Sequence, residues 1–566
     1  MPSGEWNLGH DPFFVDWIAQ GVKTSPGFLG SSSLHEAILT GSAEAVSECL
    51  NTHDSKVIDQ NVLMQSSVHL AIWRPQHLQS LMKAGFDVNA RDWGGRTPLM
   101  YAAVAGLADV AISLFDAGAD PSLKDNMYAR HDFIRYAGLS NHFHVVIEVL
   151  KFARQSPKFP AAYVSSLLDN AIINWAGQRW TGKDWLKNRS ESFEILLKLG
   201  ANPEIRFSHR WEWQKETDNT LLHRIASGFE FDILVASGFK GFAHSNSSGA
   251  SGLMKIVPLS DPLLIEKCIR RGCSVAHHDF LGRTPLHVSA EELWESFVPL
   301  RREVWPWCDR ERTLHSLRVL LHEGSDPGKG DNCRCACSPK GCTADSILLK
   351  EYKRDWESTV HPAYPLAQYI LSLEWIQILR EVKGLGYARA SVLRMLRLVA
   401  FEEMELTHTC CQKPLGRRKE PWTTLDDDEV DEIMDEEREF IEELEIYMMS
   451  VENVADDGLG DLLLQKLEKL VAKRGAEYVV RPDYGQQPFE QNRHRDTLMA
   501  RYNSINRYAV WAKSQGNSNE GDPGQHVSRC EQRMMWVLKF KEMMEIGVCL
   551  PVGTDFGMEE LVFDVF

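Results

Sequence analysis

The chain has 566 residues, which is too long for a single hydrophobic core and predicts several domains or a repeat array. Its composition, 43% apolar and 25% charged, is typical of a folded soluble protein, and no segment approaches the roughly 20 apolar residues that a membrane span requires. The formal net charge of −17, without a basic face, disfavours direct binding of nucleic acid through its phosphates.

The amino-terminal stretch "MPSGEWNLGHDPFF" has no basic region and no apolar run, so a secretory signal is not expected there. An intracellular protein of the cytoplasm or nucleus, with reduced thiols, is therefore predicted. Twelve cysteines in 566 residues are also far too few for a disulfide-stapled fold.

A sequence pattern recurs through the first two thirds of the chain. In its clearest copy, Asp92–Asn126, a turn precedes Thr97-Pro98-Leu99, an alanine-rich helix ends at Gly106, and a second amphipathic helix follows. Thr97 can cap the first helix and Pro98 suits its first turn. Equivalent starts lie 31 to 34 residues apart within two series, which begin at Ser32, Ser66 and Thr97 and at Thr220, Ser251 and Thr284.

This pattern resembles the ankyrin repeat, with its Thr-Pro-Leu-His start about 33 residues apart. The resemblance implies an all-α fold: an ankyrin-repeat solenoid of helix-turn-helix units with hairpin finger loops, followed by a helical carboxy-terminal region. We expect an amino-terminal segment at 1–30, about nine units at 31–361, several of them degenerate or interrupted by insertions, and the helical region at 362–566. The family's signature histidine, here His69, His223 and His287, is implied to be structural.

Helical periodicity continues after the repeats. One long amphipathic helix with a charged outer face is predicted at 425–450, where Leu425 to Tyr447 contain thirteen acidic residues and one arginine; Thr424 with Asp427 would start this acidic helix. A basic partner is expected there. A following helix is predicted to end at Gly475, and two more helices are predicted at 496–514 and 532–547.

Four cysteines lie within "NCRCACSPKGC", from Asn332 to Cys342, where the repeat pattern predicts an enlarged finger. Thiolates suit the tetrahedral zinc ion, and metal binding would order a loop that lacks an apolar core. We predict one structural zinc, with no other cofactor required, on Cys333, Cys335, Cys337 and Cys342, with Cys410, Cys411 or His408 as substitutes for one of them. The alternative is a set of reduced, partly buried thiols.

The leading functional hypothesis is a non-catalytic scaffold or adaptor that binds other proteins. A nuclear regulatory protein, such as a transcriptional co-regulator acting through protein contacts, is an alternative. A second alternative is an enzyme that uses the carboxy-terminal region, although no catalytic motif supports it. The stretches "CRCACS…GCTA" and "LTHTCC" resemble divergent fungal-type ankyrin proteins with a Cys-rich finger. "HHD" at His277 to Asp279 is interpreted as a fingertip turn.

Overall fold

The computed structural model describes residues 12–51, 59–126, 130–177, 185–211, 214–295, 310–349, 364–410 and 425–479. The chain divides into two compact units, of which the first comprises residues 1–292 and 300–325 and the second comprises residues 293–299 and 326–566. The division at residue 326 lies inside the predicted array, because the finger with the cysteines packs with the helices that follow it. The repeat pattern predicts that the helical region begins at residue 362.

Short helices follow one another in pairs along the first unit. They are α1 (Pro12–Thr24), α2 (Ser33–Thr40), α3 (Ala43–Asn51), α4 (Ser67–Ala71), α5 (Leu78–Lys83), α6 (Pro98–Ala105), α7 (Ala108–Asp116), α8 (Phe133–Leu139), α9 (His144–Gln155), α10 (Ala161–Gly177), α11 (Trp185–Lys198), α12 (Gly228–Ala236), α13 (Gly252–Ile256), α14 (Pro262–Arg270), α15 (Pro285–Glu295) and α16 (Arg310–His322). Each pair buries one face against its neighbours, as expected for a repeat array.

Helix α6 shows why the repeat sequence forms its first helix. The Thr97 hydroxyl accepts the backbone N–H of Met100, Pro98 occupies the first turn, and Gly106 ends the helix with φ of 72°. Leu99 is 1% exposed, and residues 98–103 of α6 are all buried. The predicted capping and termination of the first helix are therefore confirmed for this repeat.

The signature histidines are structural, as the resemblance implied. In His223, Nδ1 accepts the backbone N–H of Thr220 at 3.2 Å, and Nε2 bonds the carbonyl oxygen of Ala250 in the next unit at 3.0 Å. His69 makes the corresponding bond to the carbonyl of Arg96, also at 3.0 Å. The ring thus closes the start of its own helix and holds the following finger.

The fingers share one hydrogen-bonding pattern at their base. An Asp or Asn at the start of the turn donates its backbone N–H to the carbonyl of the residue that ends the turn. The side-chain oxygen of this Asp or Asn accepts the backbone N–H of the residue that ends the turn. The backbone distances are 2.9 to 3.1 Å, and the pairs are Asn61–Gln65, Asp92–Arg96, Asp125–His131, Asn246–Ala250, Asp279–Arg283 and Asp331–Cys342.

Neighbouring fingertips are also bonded to one another through their backbones. Trp93 donates its N–H to the carbonyl of Leu63 at 3.0 Å, and Phe280 donates to Ser248 at 3.1 Å. His277 bonds the carbonyl of Gly249 at 2.7 Å, so the "HHD" stretch is a fingertip turn, as predicted. The tips are therefore held rigidly by the backbone, while their side chains stay available to solvent.

One element of the first unit was not predicted. Strands β1 (Phe207–Trp211) and β2 (Gln214–Asn219) form an antiparallel hairpin in which Trp211 is opposite Gln214. A 3₁₀ turn, Leu221–Arg224, then replaces the first helix of the next unit. The all-α prediction holds with this two-stranded addition.

The second unit is helical. Its helices are α17 (Ala344–Leu349), α18 (Tyr364–Val382), α19 (Leu385–Glu403), α20 (Asp427–Glu436), α21 (Arg438–Glu452) and α22 (Asp456–Val479). Apolar side chains such as Trp375, Leu379, Val392 and Leu396 form its core. The carboxylate of Asp345, 1% exposed, accepts hydrogen bonds from Trp375, Ser391 and Arg394 at the junction of α17, α18 and α19.

Three predictions about this unit are wrong. The acidic helix is two helices, α20 and α21, separated at Glu437, where φ is −94° and ψ is 10°. It starts at Asp426, whose side chain forms a capping box with Glu429, and not with Thr424 and Asp427. Helix α22 continues through Gly475 to Val479. Cys411 and the helices predicted at 496–514 and 532–547 lie outside the described residues.

Across the described parts of both units, we find no helix that is long and apolar enough to cross a membrane.

Candidate metal centre

The finger that carries the cysteines is an enlarged version of the common finger. Asp331 and Cys342 close it eleven positions apart, whereas Asp279 and Arg283 close theirs four positions apart. The two sides of the hairpin meet at Gly330 and Gly341, where an added Cβ would lie 2.0 Å from a carbonyl oxygen of the opposite side. Only glycine permits this close approach, and Gly341 also has φ of +87°.

The loop insertion brings two of its thiols to two residues that follow α19. These four donors, here called the Cys3His cluster, are Cys335, Cys337, His408 and Cys410, and their ligand atoms all lie within 4.8 Å of one another. The Sγ atoms of Cys337 and Cys410 are 3.4 Å apart. Nδ1 of His408 lies 3.9 Å from Sγ of Cys335 and 3.7 Å from Sγ of Cys410. The three cysteines are buried.

Hydrogen bonds hold both halves of the cluster in place. Arg397 of α19 donates to the carbonyl of Ala336 at 2.9 Å, and Thr409 donates its hydroxyl proton to the carbonyl of Arg334 at 2.6 Å. The Arg334 guanidinium pairs with Asp427 and Asp431 of α20 at 3.1 and 2.6 Å. The insertion is therefore bonded to the end of α19, to the segment that follows it, and to α20.

The four side chains of the cluster shift one another's pKa values. Burial by itself lowers the pKa of His408, but hydrogen bonds with Cys335, Cys410 and Glu402 outweigh burial and raise that pKa to about 11. Hydrogen bonding from Cys337 contributes most to a lowered pKa of Cys335, against the effect of burial.

The other two predicted ligands lie in a different group. Cys333 and Cys342 lie beside Asp331, and the donor atoms of these three residues are also within 4.8 Å of one another. Asp331 is already engaged, because its Oδ1 accepts the N–H groups of Cys333 and Cys342 at 2.9 and 2.7 Å. Its Oδ2 lies 3.3 Å from the Sγ of Cys333. The structure thus separates the cysteines that the sequence grouped on one ion.

The sequence predicts His408 only as a substitute ligand and does not predict its contacts with Glu402 and Phe401. Nε2 of His408 faces the carboxylate of Glu402 at 3.9 Å, and its ring packs on Phe401 with centroids 4.6 Å apart. The spacing of His408 and Cys410 in "THTC" was visible in the sequence. The sequence suggests that they approach a finger 73 residues earlier only if the preceding helix packs behind the last repeat, and the structure brings them there.

Residues 34–125 match the family model described as Ankyrin repeats (3 copies). The chain therefore contains ankyrin repeats, and its fold is an all-α ankyrin-repeat array followed by a helical region. Ankyrin repeats are a protein-binding architecture.

Many solved structures are similar to the chain, and two of them are named here. One is the ankyrin repeat domain of Bcl-3, described as a unique member of the IkappaB protein family, at 16% identity over 56% of this chain and 94% of that chain, with a TM-score of 0.21. The other is the Bd0816 predatory endopeptidase from Bdellovibrio bacteriovorus in complex with immunity protein Bd3460, at 19% identity over 46% and 90%, with a TM-score of 0.22. At such scores neither likeness bears on function. No curated protein matches the chain.

Proposed function

We propose that this chain is a non-catalytic protein-interaction module whose fingertips contact a partner protein. The observation that carries the proposal is the exposure of large apolar side chains at one equivalent fingertip position. Trp93 is 77% exposed and Phe280 is 73% exposed, and Val62 occupies the same position in another finger at 63%. Aromatic residues are enriched in protein interfaces and in the small set of residues that contribute most of the binding energy.

The backbone of these tips supports the same function. Each tip is closed by an Asp or Asn and bonded to the neighbouring tip, so little backbone entropy is lost when a partner binds. Trp93 directly follows Asp92, and Phe280 directly follows Asp279, so each ring is adjacent to a carboxylate that holds its turn. A rigid row of tips with interchangeable side chains is suited to binding another protein.

The experiment is quantitative affinity capture with the full chain from its native cell extract. We expect the double substitution Trp93→Ser and Phe280→Ser to lose the specific proteins that the unchanged chain retains. Leu263→Ser is the matched control, because Leu263 is 69% exposed on α14, away from the fingertips. Equal recovery with the fingertip variant and the unchanged chain would contradict the proposal.

Two finer features belong to the same proposal. The acidic helices α20 and α21 supply a second, electrostatic surface for a basic partner, because most of their carboxylates are exposed. The enlarged finger with its cysteines agrees with the resemblance to divergent fungal-type ankyrin proteins. The nuclear co-regulator and the enzyme that the sequence leaves open stay alternatives, and no specific feature of the described residues favours either.

A further inference from the structure

We propose that the Cys3His cluster binds one zinc ion, and that this ion joins the enlarged finger to the end of α19 without taking part in catalysis. This ligand set differs from the one expected from the sequence. Cys335 and Cys337 remain ligands, and His408 and Cys410 replace Cys333 and Cys342. Cys333 and Cys342 belong instead to the hydrogen-bonded base of the finger. It is independent of the fingertip surface.

The distances fit a tetrahedral ion. Bonds of about 2.3 Å to sulfur and about 2.05 Å to nitrogen place two sulfurs about 3.8 Å apart, and a sulfur and a nitrogen about 3.6 Å apart. The Sγ atoms of Cys337 and Cys410 are 3.4 Å apart. The Nδ1 of His408 is 3.9 and 3.7 Å from the Sγ atoms of Cys335 and Cys410. These three distances differ from the zinc values by a few tenths of an ångström, and all four ligand atoms lie within 4.8 Å of one another.

The surroundings of His408 are those of a metal-bound histidine. Its Nδ1 faces the thiols, and its Nε2 faces the Glu402 carboxylate at 3.9 Å. A zinc-bound imidazole usually donates its second N–H to such an acceptor, which fixes the tautomer and orients the ring. Glu402 lies in the last turn of α19, so the helix itself places this acceptor.

The second group of donors has an explanation that needs no metal. Asp331 accepts the N–H of the residue two positions later and the N–H of the closing residue, as Asp279 does from Leu281 and Arg283. Asn61 makes the same pair of bonds, with no cysteine in its finger. Cys335 and Cys337, in contrast, belong to the inserted segment, which those fingers lack.

A role follows from the ligand positions. Two ligands come from the finger and two from a segment 73 residues later, so the ion closes a long loop within the second unit. The same finger segment pairs through Arg334 with α20. Three thiolates and an imidazole fill a tetrahedral coordination sphere and leave no position for substrate or water. The ion would therefore order the finger and, through Arg334, helix α20.

The test measures zinc in the purified, reduced full-length chain, incubated with zinc chloride and then desalted. We expect about one zinc per chain, which the Cys337→Ser and Cys410→Ser pair should abolish. The matched control is the Cys333→Ser and Cys342→Ser pair, which should retain it. No bound zinc in the unchanged chain, two zinc ions per chain, or loss of zinc only in the control pair would overturn the proposal.

A second variant keeps the test decisive if the ligand pair fails to fold. His408→Cys preserves four ligands while raising the thiolate count from three to four. With cobalt(II) as the probe, we expect this variant to bind the metal and to gain thiolate-to-cobalt absorption relative to the unchanged chain. An unchanged cobalt spectrum would show that His408 is not a ligand and would overturn the assignment. Hydrogen exchange at 427–436 should also become faster on zinc removal, which a zinc bound elsewhere would not produce.

Discussion

Cys342 donates its backbone N–H to the carboxylate of Asp331 at 2.7 Å, and Asp331 donates its own N–H to the carbonyl of Cys342 at 3.0 Å. Arginine, glutamine, histidine and alanine occupy the closing position in the other fingers, with the same backbone bond. The thiol of Cys342 is therefore not required to close the turn, and the carboxylate of Asp331 is.

Our first prediction concerns this closing carboxylate. Asp331→Ala leaves the N–H groups of Cys333 and Cys342 without their acceptor, and we expect a loss of about 1–3 kcal/mol in the free energy of unfolding. Asp331→Asn should stay within about 0.5 kcal/mol, because Asn61 and Asn246 make these bonds in their own fingers. Urea unfolding of both variants measures the difference; equal losses would refute the shared role of these fingers.

The second prediction concerns packing between repeat units. Leu286 is 1% exposed at the start of α15, where the repeat pattern predicts a leucine packed between neighbouring repeat units. Leu286→Ala should therefore lower the free energy of unfolding by about 2–5 kcal/mol through the cavity it leaves. Leu263→Ala, at a site 69% exposed, is the control and should cost less than about 0.5 kcal/mol. A cost for Leu286→Ala as small as that of the control would exclude its packing role.

The third prediction is a pH dependence. Burial lowers the pKa of His223 from 6.5 to about 4, so the folded chain keeps the ring neutral while the unfolded chain protonates it below pH 6.5. The unfolded state then binds more protons between pH 6.5 and 4, and stability falls as the pH falls through that window. At about 1.4 kcal/mol per pKa unit, the loss attributable to His223 is about 3 kcal/mol.

Chemical unfolding at a series of pH values checks this assignment. His223→Gln should reduce the loss of stability between pH 6.5 and 4, although it also weakens the fold at neutral pH by disturbing the bonds to Thr220 and Ala250. His278→Gln, at an exposed fingertip position, should leave the slope unchanged. An unaltered slope in the His223 variant would show that this ring does not titrate as burial requires.

The fourth prediction concerns the acidic helices. Exposed charges are screened within about 8 Å at physiological ionic strength, so a basic partner bound at this surface should dissociate steeply as salt rises. Changing Glu432, Glu436, Glu439 and Glu443 to Gln removes four exposed carboxylates and spares Asp427 and Asp431, which pair with Arg334. Binding measured by calorimetry across a salt series should weaken and lose its slope; an affinity that is flat with salt and unaffected by these substitutions would exclude the surface.

The repeat units can be predicted from the sequence. Their signals are local: Thr97 caps the helix that Pro98 and Leu99 begin, and His69 and His223 bond the residue three positions earlier. Such short-range chemistry can be predicted from spacing alone. The same spacing predicts that the cysteine finger lies between two repeats. The bend at Glu437 escaped prediction, because the apolar spacing continues on both sides of it.

The grouping of the cysteines, in contrast, depends on the tertiary fold. Cys333, Cys335, Cys337 and Cys342 are neighbours in sequence, but the hairpin bonds of Asp331 assign the outer two to the base of the finger. The inner two meet His408 and Cys410, which α19 brings back after 73 residues. No periodicity specifies where the end of a helix returns, because that position is set by the packing of α17, α18 and α19 around their common core.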